Sequence, residues 1–578
     1  MARIRKIEIR NFRSIQVLNW IPSEGINCLI GPGDSGKTTI LDAIDLCLGA
    51  RRNISFGDTD FFNLDVTRPI GITLTLGALP DQLKNLESYG DFLCAFDATT
   101  GSVEEEPRHG FETVLVLNLT VSGDLEPTWS LVSRRAQQQG IERSINWKDR
   151  ISISPARLGN YTHSHLSWTR GSVLNRLSDE RANLGPELAR AAREARANFG
   201  NQADAQFTDA LQTVTNTAAS LGIPIGGNAK ALLDAHSVSI GDGAITLHSE
   251  NGIPLRSLGT GSTKLLVAGL QRAAANSASI ILVDELEHGL EPHRLIRLLG
   301  SLGAKETTSP LQVFMTTHSP VAVRELNGKQ VFVVRTIAEG HQVLRVGTED
   351  DVQSTIRLDP EAFLARTVIV CEGASEVGFV RGLDEYYVTQ GHPSLWAKGI
   401  AYVNVGGGNP DKCYARGNAL LSLGYRVMVL VDNDKPATQE IINRYVGAGG
   451  HHITWRENRA LEDELFLSMD DKSVQSLLQY AIELVGEELV NNHILSKSTG
   501  EATLESVFAE ANLVGFTNEA RTLLGKASRV GKNGNSGWFK SVGKFEGVAR
   551  DIVGPNLQNA DPAFQALVMD LLGWAHAT

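Results

Sequence analysis

The sequence predicts an α/β chain of two successive parallel-sheet units, and three observations carry that prediction. The stretch Gly31-Pro32-Gly33-Asp34-Ser35-Gly36-Lys37-Thr38 fits G-x-x-x-x-G-K-[ST] and stands between an apolar run, Ile26 to Ile30, and a helical pattern, Thr39 to Leu48. A second apolar run, Ile280 to Val283, ends in Asp284 and Glu285. Further on, two more apolar runs, Val368 to Cys371 and Val427 to Val431, also finish in acids, with helical stretches between them.

Taken in order, the first 80 or so residues read as strands around the glycine-rich loop: Ile4–Ile9, Gly25–Ile30 and Ile70–Leu76. The alternation of Ile4, Ile7, Ile9 and Phe12 behind a basic start marks a strand, not a signal peptide. From 156 to 235 the chain turns rich in Ala, Arg, Glu, Asn and Gln, with helical patterns over 186–199 and 203–219, which predicts a helical insertion. Strand patterns return at Val238–Ile240 and Ala244–His248. Segments 1–155 and 236–346 are then two parts of one unit. A polar linker over 347–364 leads to a second unit, 365–578, that ends in a basic helical region. There is no internal repeat.

The 578 residues allow roughly three or four domains. No apolar run is long enough to span a membrane, since charges interrupt the richest stretches. Five scattered cysteines, Cys28, Cys47, Cys94, Cys371 and Cys413, fit reduced thiols in a cytoplasm better than disulfides or a zinc site. A net charge of −12 excludes a uniformly basic coat, yet footprints for nucleic acid are local. One basic tract runs from Lys526 to Arg550, with Trp538 and Phe539 interleaved. It reads either as phosphate contacts plus base stacking or as a solvated basic face.

The glycine-rich loop has a specific mechanism. Backbone amides of Gly31, Gly33, Asp34, Ser35 and Gly36 and the N-terminus of the following helix cradle phosphates; Lys37 reaches the terminal ones, and Thr38, beside Thr39, offers a hydroxyl to Mg²⁺. ATP is the expected ligand. In such proteins the first acid of the acidic strand, Asp284, supports Mg²⁺ and the second, Glu285, orients or deprotonates the attacking water. Ser257-Leu258-Gly259-Thr260-Gly261-Ser262, at the mouth of a helical pattern, resembles the signature loop of ABC-type ATPases. His318, in Thr316-Thr317-His318-Ser319-Pro320, resembles their switch histidine. Ile7-Glu8-Ile9-Arg10-Asn11-Phe12-Arg13-Ser14 looks like the opening strand of SMC- and RecF-like heads. Roughly 240 residues without sustained heptads separate the phosphate loop from the acidic strand, too few for an SMC arm. In these heads the signature residues Gly259, Gly261 and Ser262 of one copy complete the ATP site of the other, so the resemblance implies a homodimer.

The second unit reads Glu372-Gly373-x-x-Glu376, with Asp432-Asn433-Asp434 about sixty residues later. Acids at the ends of neighbouring buried strands gather at one edge of a sheet, where they can hold hard divalent cations for in-line phosphodiester displacement. This pattern resembles a Toprim domain. Glu462 and Glu464, in Ala460-Leu461-Glu462-Asp463-Glu464-Leu465-Phe466, are candidates for a second metal site, although an acidic first turn also stabilises a helix.

An ABC-type head with a short helical insertion, followed by a Toprim domain, resembles the OLD (overcoming lysogenization defect) family of ATP-dependent nucleases. That resemblance implies a Toprim domain that cuts or nicks double-stranded DNA with Mg²⁺, Mn²⁺ or Ca²⁺, dimerisation through the insertion, and a role in defence against phage or in recombination interference. It also implies an assisting lysine, which maps onto Lys540 in Gly537-Trp538-Phe539-Lys540, with Lys544 as the fallback. Glu287 and His293 match the family's tract after the acidic strand only loosely, and Asp58, Asp60 and Phe61 occupy the region of a sensor without its glutamine. Two other classes stay open: a non-cleaving, ATP-gated DNA-binding protein of RecF or SMC type, and an ATPase subunit that recruits a helicase or another defence effector.

Overall fold

The computed structural model describes residues 2–50, 54–159, 165–168, 172–177, 207–221, 223–224, 226–230, 245–274, 279–529 and 537–577, with scattered positions between 187 and 199. The Val238–Ile240 strand pattern and most of the two helical patterns before residue 207 lie outside them. Of the insertion, the helix Thr208–Ser220 is described, with Phe207, Val214, Leu221 and Ile223 exposed.

A 13-stranded sheet organises the first 346 residues, and it has two characters. Its parallel part centres on Ile26–Ile30, flanked by Gln312–Thr316 and Val331–Ile337, with Ile280–Val283 and then Ala156–Leu158 beyond Gln312–Thr316. Ile26–Ile30 and Ile280–Val283 are buried at every position, as strands covered on both faces must be. The antiparallel part runs from Arg3–Phe12, between Ile15–Trp20 and Ile70–Gly77, out to Glu112–Val121. One face of the sheet packs on the helix Lys37–Leu48 through Ile40, Leu41 and Ile44. The other packs on helices Pro292–Ser301 and Pro320–Glu325. Thr246 and His248 form isolated bridges to Ser167 and Pro254 where the alternation predicts a strand.

The polar stretch 347–364, expected as a linker, carries a packed helix. Asp350–Leu358 is a helix: Val352, Thr355 and Ile356 form a buried stripe at i, i+3, i+4, and Asp350 and Asp351 favour the helix N-terminus. That stripe belongs to a core continuous from Leu298 and Val323 through Val352 to Val368, Val427 and Tyr445, so the two units share one apolar interior. Asp359 ends this helix with Oδ2 buried and unpartnered, and burial pushes its carboxyl up to about 6. The folded chain thus binds this proton more tightly than the unfolded chain, whose aspartates titrate near 4. The stability it contributes is complete below about pH 4 and is lost as pH rises to about 6. Melting temperatures across that window should fall more steeply for the wild type than for Asp359→Asn; equal slopes would remove Asp359 as the cause.

The second sheet has four parallel strands in the order Ile400–Asn404, Thr367–Cys371, Arg426–Val431, His451–Thr454. Cys371 pairs with Leu430, so the residues just past these two central strands, Glu372 and Asp432, emerge at the same sheet edge. Helices from Leu461–Ser468 to Pro562–His576 cover the outer face around Phe379, Trp455, Phe466 and Phe564. Gly378 and Gly382, one turn apart on the helix Ala374–Thr389, allow a close crossing. A Cβ at either would collide with the backbone carbonyl of Val542 or Glu546 on or beside the helix Val542–Gly547. That close packing brings the segment ending in Lys540 up to the acidic edge.

Candidate functional site

In the first unit, the loop Gly31–Gly36 borders a cavity of about 470 Å³ lined by Arg13, Ser14, Gly33, Asp34, Ser35, Gly36, Lys37, Thr38, Thr39, Glu285, Thr316 and His318. Lys37 is buried, and its ammonium donates to Gly31 O (3.1 Å), Pro32 O (2.7 Å) and Ser35 Oγ (3.4 Å). Desolvation lowers its pKa, against the charges of Asp34 and Asp284. The hydroxyls of Thr38 (3.1 Å) and Thr316 (2.7 Å) both donate to Asp284 Oδ1, which sets a hydroxyl and a carboxylate side by side, the hard-oxygen pair that suits Mg²⁺. Glu285 is exposed at the rim with φ 46°, its amide donating to Thr316 Oγ1 at 2.8 Å. Lys264, 1% exposed on the helix Thr260–Ala273, donates to the carbonyls of Glu285 (3.3 Å) and His288 (3.0 Å), tying that helix to the acidic strand's end.

The structure separates the other candidates around this cavity. Gly259 caps the helix Thr260–Ala273; Gly261 and Ser262 lie in its first turn, and none of the three lines the chain's own cavity. Glu287 accepts from Thr317 Oγ1 (2.6 Å) and the His318 amide (2.8 Å), so it fixes the loop that carries His318. His293 is exposed and lies outside the cavity, as do Asp58, Asp60 and Phe61. Asp60 instead pairs with Arg13 at 2.8 Å, and Asp42 pairs with it at 2.5 Å. Arg13, Ser14 and Thr316 are cavity residues that sequence reasoning missed; the signal for Arg13 was a cation just past the opening strand, near a loop that presents amides to anions.

At the edge of the second sheet, Glu376 and Glu462 are buried and Glu372 and Asp432 half-buried. Backbone amides hold three of them: Glu376 Oε2 accepts from Gly373 (2.8 Å), Glu372 Oε2 from Asp432 (3.0 Å) and Asp432 Oδ1 from Leu461 (2.9 Å). Glu462 Oε1 is buried without a partner. Burial, then the charges of Glu462 and Glu372, pushes Glu376 up to about 8. Asp432 is pushed well up by burial and by Glu376, Glu462 and Glu372. Burial also raises Glu372 and Glu462, with Lys540 opposing in both cases. Asp434 adds its charge to that felt by Glu372, and it pairs with Arg529 at 2.9 Å.

A divalent cation fits this set. Its donors are hard oxygens, one of them has no partner, and their mutual repulsion is what such an ion would relieve. Among the described residues no three of these side chains converge on one ligating point.

Two expectations are corrected. Glu464 is not at this edge: fully buried, it pairs with Arg456 (2.6 Å) and Arg459 (3.3 Å) and accepts from Ser468 Oγ (2.8 Å). The acids of that helical turn associated with the edge are Glu462 and Asp463. Arg456→Met, which leaves Glu464 with only its longer ion pair, should cost about 3 kcal/mol of stability by denaturant unfolding. A loss under about 0.5 kcal/mol, the size of an ordinary surface change, would mean the pair is dispensable. Trp538 and Phe539 do not present faces to bases either. Both are fully buried, Trp538 against Phe466 with Nε1 at 3.1 Å from His493 Nδ1. Lys540 is exposed, whereas Lys544 donates to Trp538 O at 3.4 Å.

Fold and sites together define the class: a phosphate-loop ATPase head joined to a Toprim domain. A family model described as AAA domain, putative AbiEii toxin, Type IV TA system, matches residues 26–324, more than half of the chain, and the chain belongs to that family. A second model, Overcoming lysogenization defect protein-like, TOPRIM domain, matches residues 363–434. The OLD nuclease of Thermus scotoductus is 37% identical over 75 residues, 12% of this chain and 14% of that protein. The DNA replication and repair protein RecF of Chlorobium limicola is 30% identical over 114 residues, 18% and 31% of the two chains. The chain therefore matches less than a third of the length of these relatives. Among solved structures, the SMC head domain from Thermotoga maritima aligns with TM-score 0.29 at 14% identity, covering 60% of this chain and 100% of that one. RecF bound to ATP aligns with TM-score 0.33 at 13% identity, covering 59% and 99%. Among the described residues no helix is long and apolar enough to cross a membrane.

Proposed function

We propose that the protein is an ATP-regulated, divalent-metal-dependent DNA endonuclease. The observation that carries this reading is the edge at Glu372 and Asp432. Four carboxylates, Glu372, Glu376, Asp432 and Glu462, gather there, Glu462 with its Oε1 unpartnered, and the charge of Lys540 acts on two of them. Glu372, Glu376, Asp432, Asp434 and Glu462 would hold the cations, Mg²⁺, Mn²⁺ or Ca²⁺. Bound there, the metal supplies Lewis-acid stabilisation to the attacking and leaving oxygens of a phosphodiester. The Lys540 ammonium meets the charge that builds on the phosphate during attack.

At the head, the amides of the loop and Lys37 hold the phosphates of ATP, and Thr38 and Asp284 hold its Mg²⁺. Glu285 orients the attacking water, with His318 beside the terminal phosphate. The position of Gly259, Gly261 and Ser262 outside the chain's own cavity supports completion of each ATP site by a second copy. The core shared from Val323 to Val368 joins head and edge by contiguous packing, which supports coupling of nucleotide state to the acidic edge. Phage defence, with or without a helicase as partner, is the biological setting that the family resemblance adds.

The test is purified protein with supercoiled plasmid and Mg²⁺ or Mn²⁺, with and without ATP. Nicked or linear product that is absent with Asp432→Ala is the expected result. The RecF relatives of the head favour a second reading, a non-cleaving ATP-gated DNA-binding protein. Metal-independent retention of DNA with no product would select it.

A further inference from the structure

Two carboxylates from different segments converge on one guanidinium at the acidic edge. Arg529 Nη1 lies 2.9 Å from Asp434 Oδ2 and Arg529 Nη2 lies 3.1 Å from Asp463 Oδ2. Asp434 belongs to the loop after the strand Arg426–Val431, and Asp463 to the first turn of the helix Leu461–Ser468. Each acid also has a polar contact other than Arg529, solvent for Asp434 and a backbone amide for Asp463. The Asp434 side chain is 34% exposed, and Asp463 Oδ2 already accepts from the Ala460 amide at 3.1 Å. Both stand beside the proposed metal ligands: the charge of Asp434 acts on Glu372, and those of Asp463 and Arg529 act on Glu462, whose Oε1 is buried without a partner. The planar fork of the guanidinium thus bridges two oxygens that a hard cation would otherwise bridge.

We propose that Arg529 guards the second cation subsite: its guanidinium and a divalent cation compete for Asp434 and Asp463. The inference rests on the metal-dependent reading above. With Arg529 seated, the edge holds one cation among Glu372, Glu376, Asp432 and Glu462. A second cation enters when the guanidinium swings off, and the freed fork stays within side-chain reach of the edge, where a phosphodiester oxygen is its natural partner. Substrate phosphate and the second cation therefore favour each other, because each is bound best when Arg529 has left the carboxylates. Such a guard keeps the edge incompletely loaded until DNA is in place.

The test is a Mn²⁺ titration of the nucleotide-free, DNA-free protein, with free Mn²⁺ read by electron paramagnetic resonance. Arg529→Met should tighten the weaker Mn²⁺ site roughly tenfold by removing a partly exposed ion-pair competitor. Arg529→Gln, which keeps a donor without the charge, should do the same if the methionine variant folds poorly. Asp434→Asn in the Arg529→Met background should abolish the gain. Wild-type binding that is lost in Asp432→Asn but unchanged in both folded Arg529 variants would overturn the guard and leave the metal site standing. No Mn²⁺ binding in the wild type would overturn both.

Discussion

Asp432→Asn is expected to lower DNA cleavage by roughly 10³-fold or more, since a ligand central to the metal site is removed, while ATP hydrolysis stays close to wild type. Asparagine retains the oxygen that accepts from the Leu461 amide, so the turn into the helix Leu461–Ser468 keeps its anchor. What changes is charge. Asp432 feels Glu376, Glu462 and Glu372 at once, and removing its charge relieves repulsion in the metal-free edge. The variant should therefore melt slightly higher than wild type without metal and lose the stabilisation that added Mn²⁺ gives the wild type. A folded variant that melts lower and still gains from Mn²⁺ would show that Asp432 serves packing. Parallel loss of ATP hydrolysis would refute the division of labour between head and edge.

How much was legible in the sequence follows from how local each feature is. The phosphate loop was legible because strand, loop and helix are contiguous, and its lysine and threonine are fixed by the motif's own geometry. Glu372 and Asp432 were legible because a buried parallel strand advertises its end, and neighbouring strands place their ends together. The turn Glu462-Asp463-Glu464 was not. Three consecutive acids on a helix point in three directions, and their roles are set by distant residues: Arg456 and Arg459 take Glu464, and Arg529 takes Asp463. Nothing in the spacing announces those partners. Trp538 and Phe539 misled for a related reason: an aromatic pair between basic residues reads the same in a core as on a surface. The ordered helix Asp350–Leu358 hid behind its charge, because its buried stripe is one turn long and its partners belong to both units.

Glu285→Gln is expected to lower ATP hydrolysis by roughly 10²- to 10³-fold while ATP still binds, since the carboxylate that positions or deprotonates water is lost and the phosphate cradle is untouched. The backbone there is held independently of the side chain. The Glu285 amide donates to Thr316 Oγ1 at 2.8 Å and its carbonyl accepts from the buried ammonium of Lys264. The left-handed φ of 46° therefore persists in the variant, and glutamine occupies the same rim position. Blocked hydrolysis has a structural consequence if two copies share each nucleotide. The ATP-bound state then accumulates, and with it the assembly in which the first turn of the helix Thr260–Ala273 of one copy faces the loop of the other. Sedimentation of Glu285→Gln should shift to a dimer or larger even oligomer on adding ATP, at concentrations where the wild type returns to its nucleotide-free size as ATP is consumed. Lys37→Ala in the same background should abolish the shift, because the phosphates lose their cation. A Glu285→Gln protein that binds ATP and sediments unchanged would mean that Gly259, Gly261 and Ser262 do not complete a neighbour's site, and hydrolysis would then have to be explained within one chain.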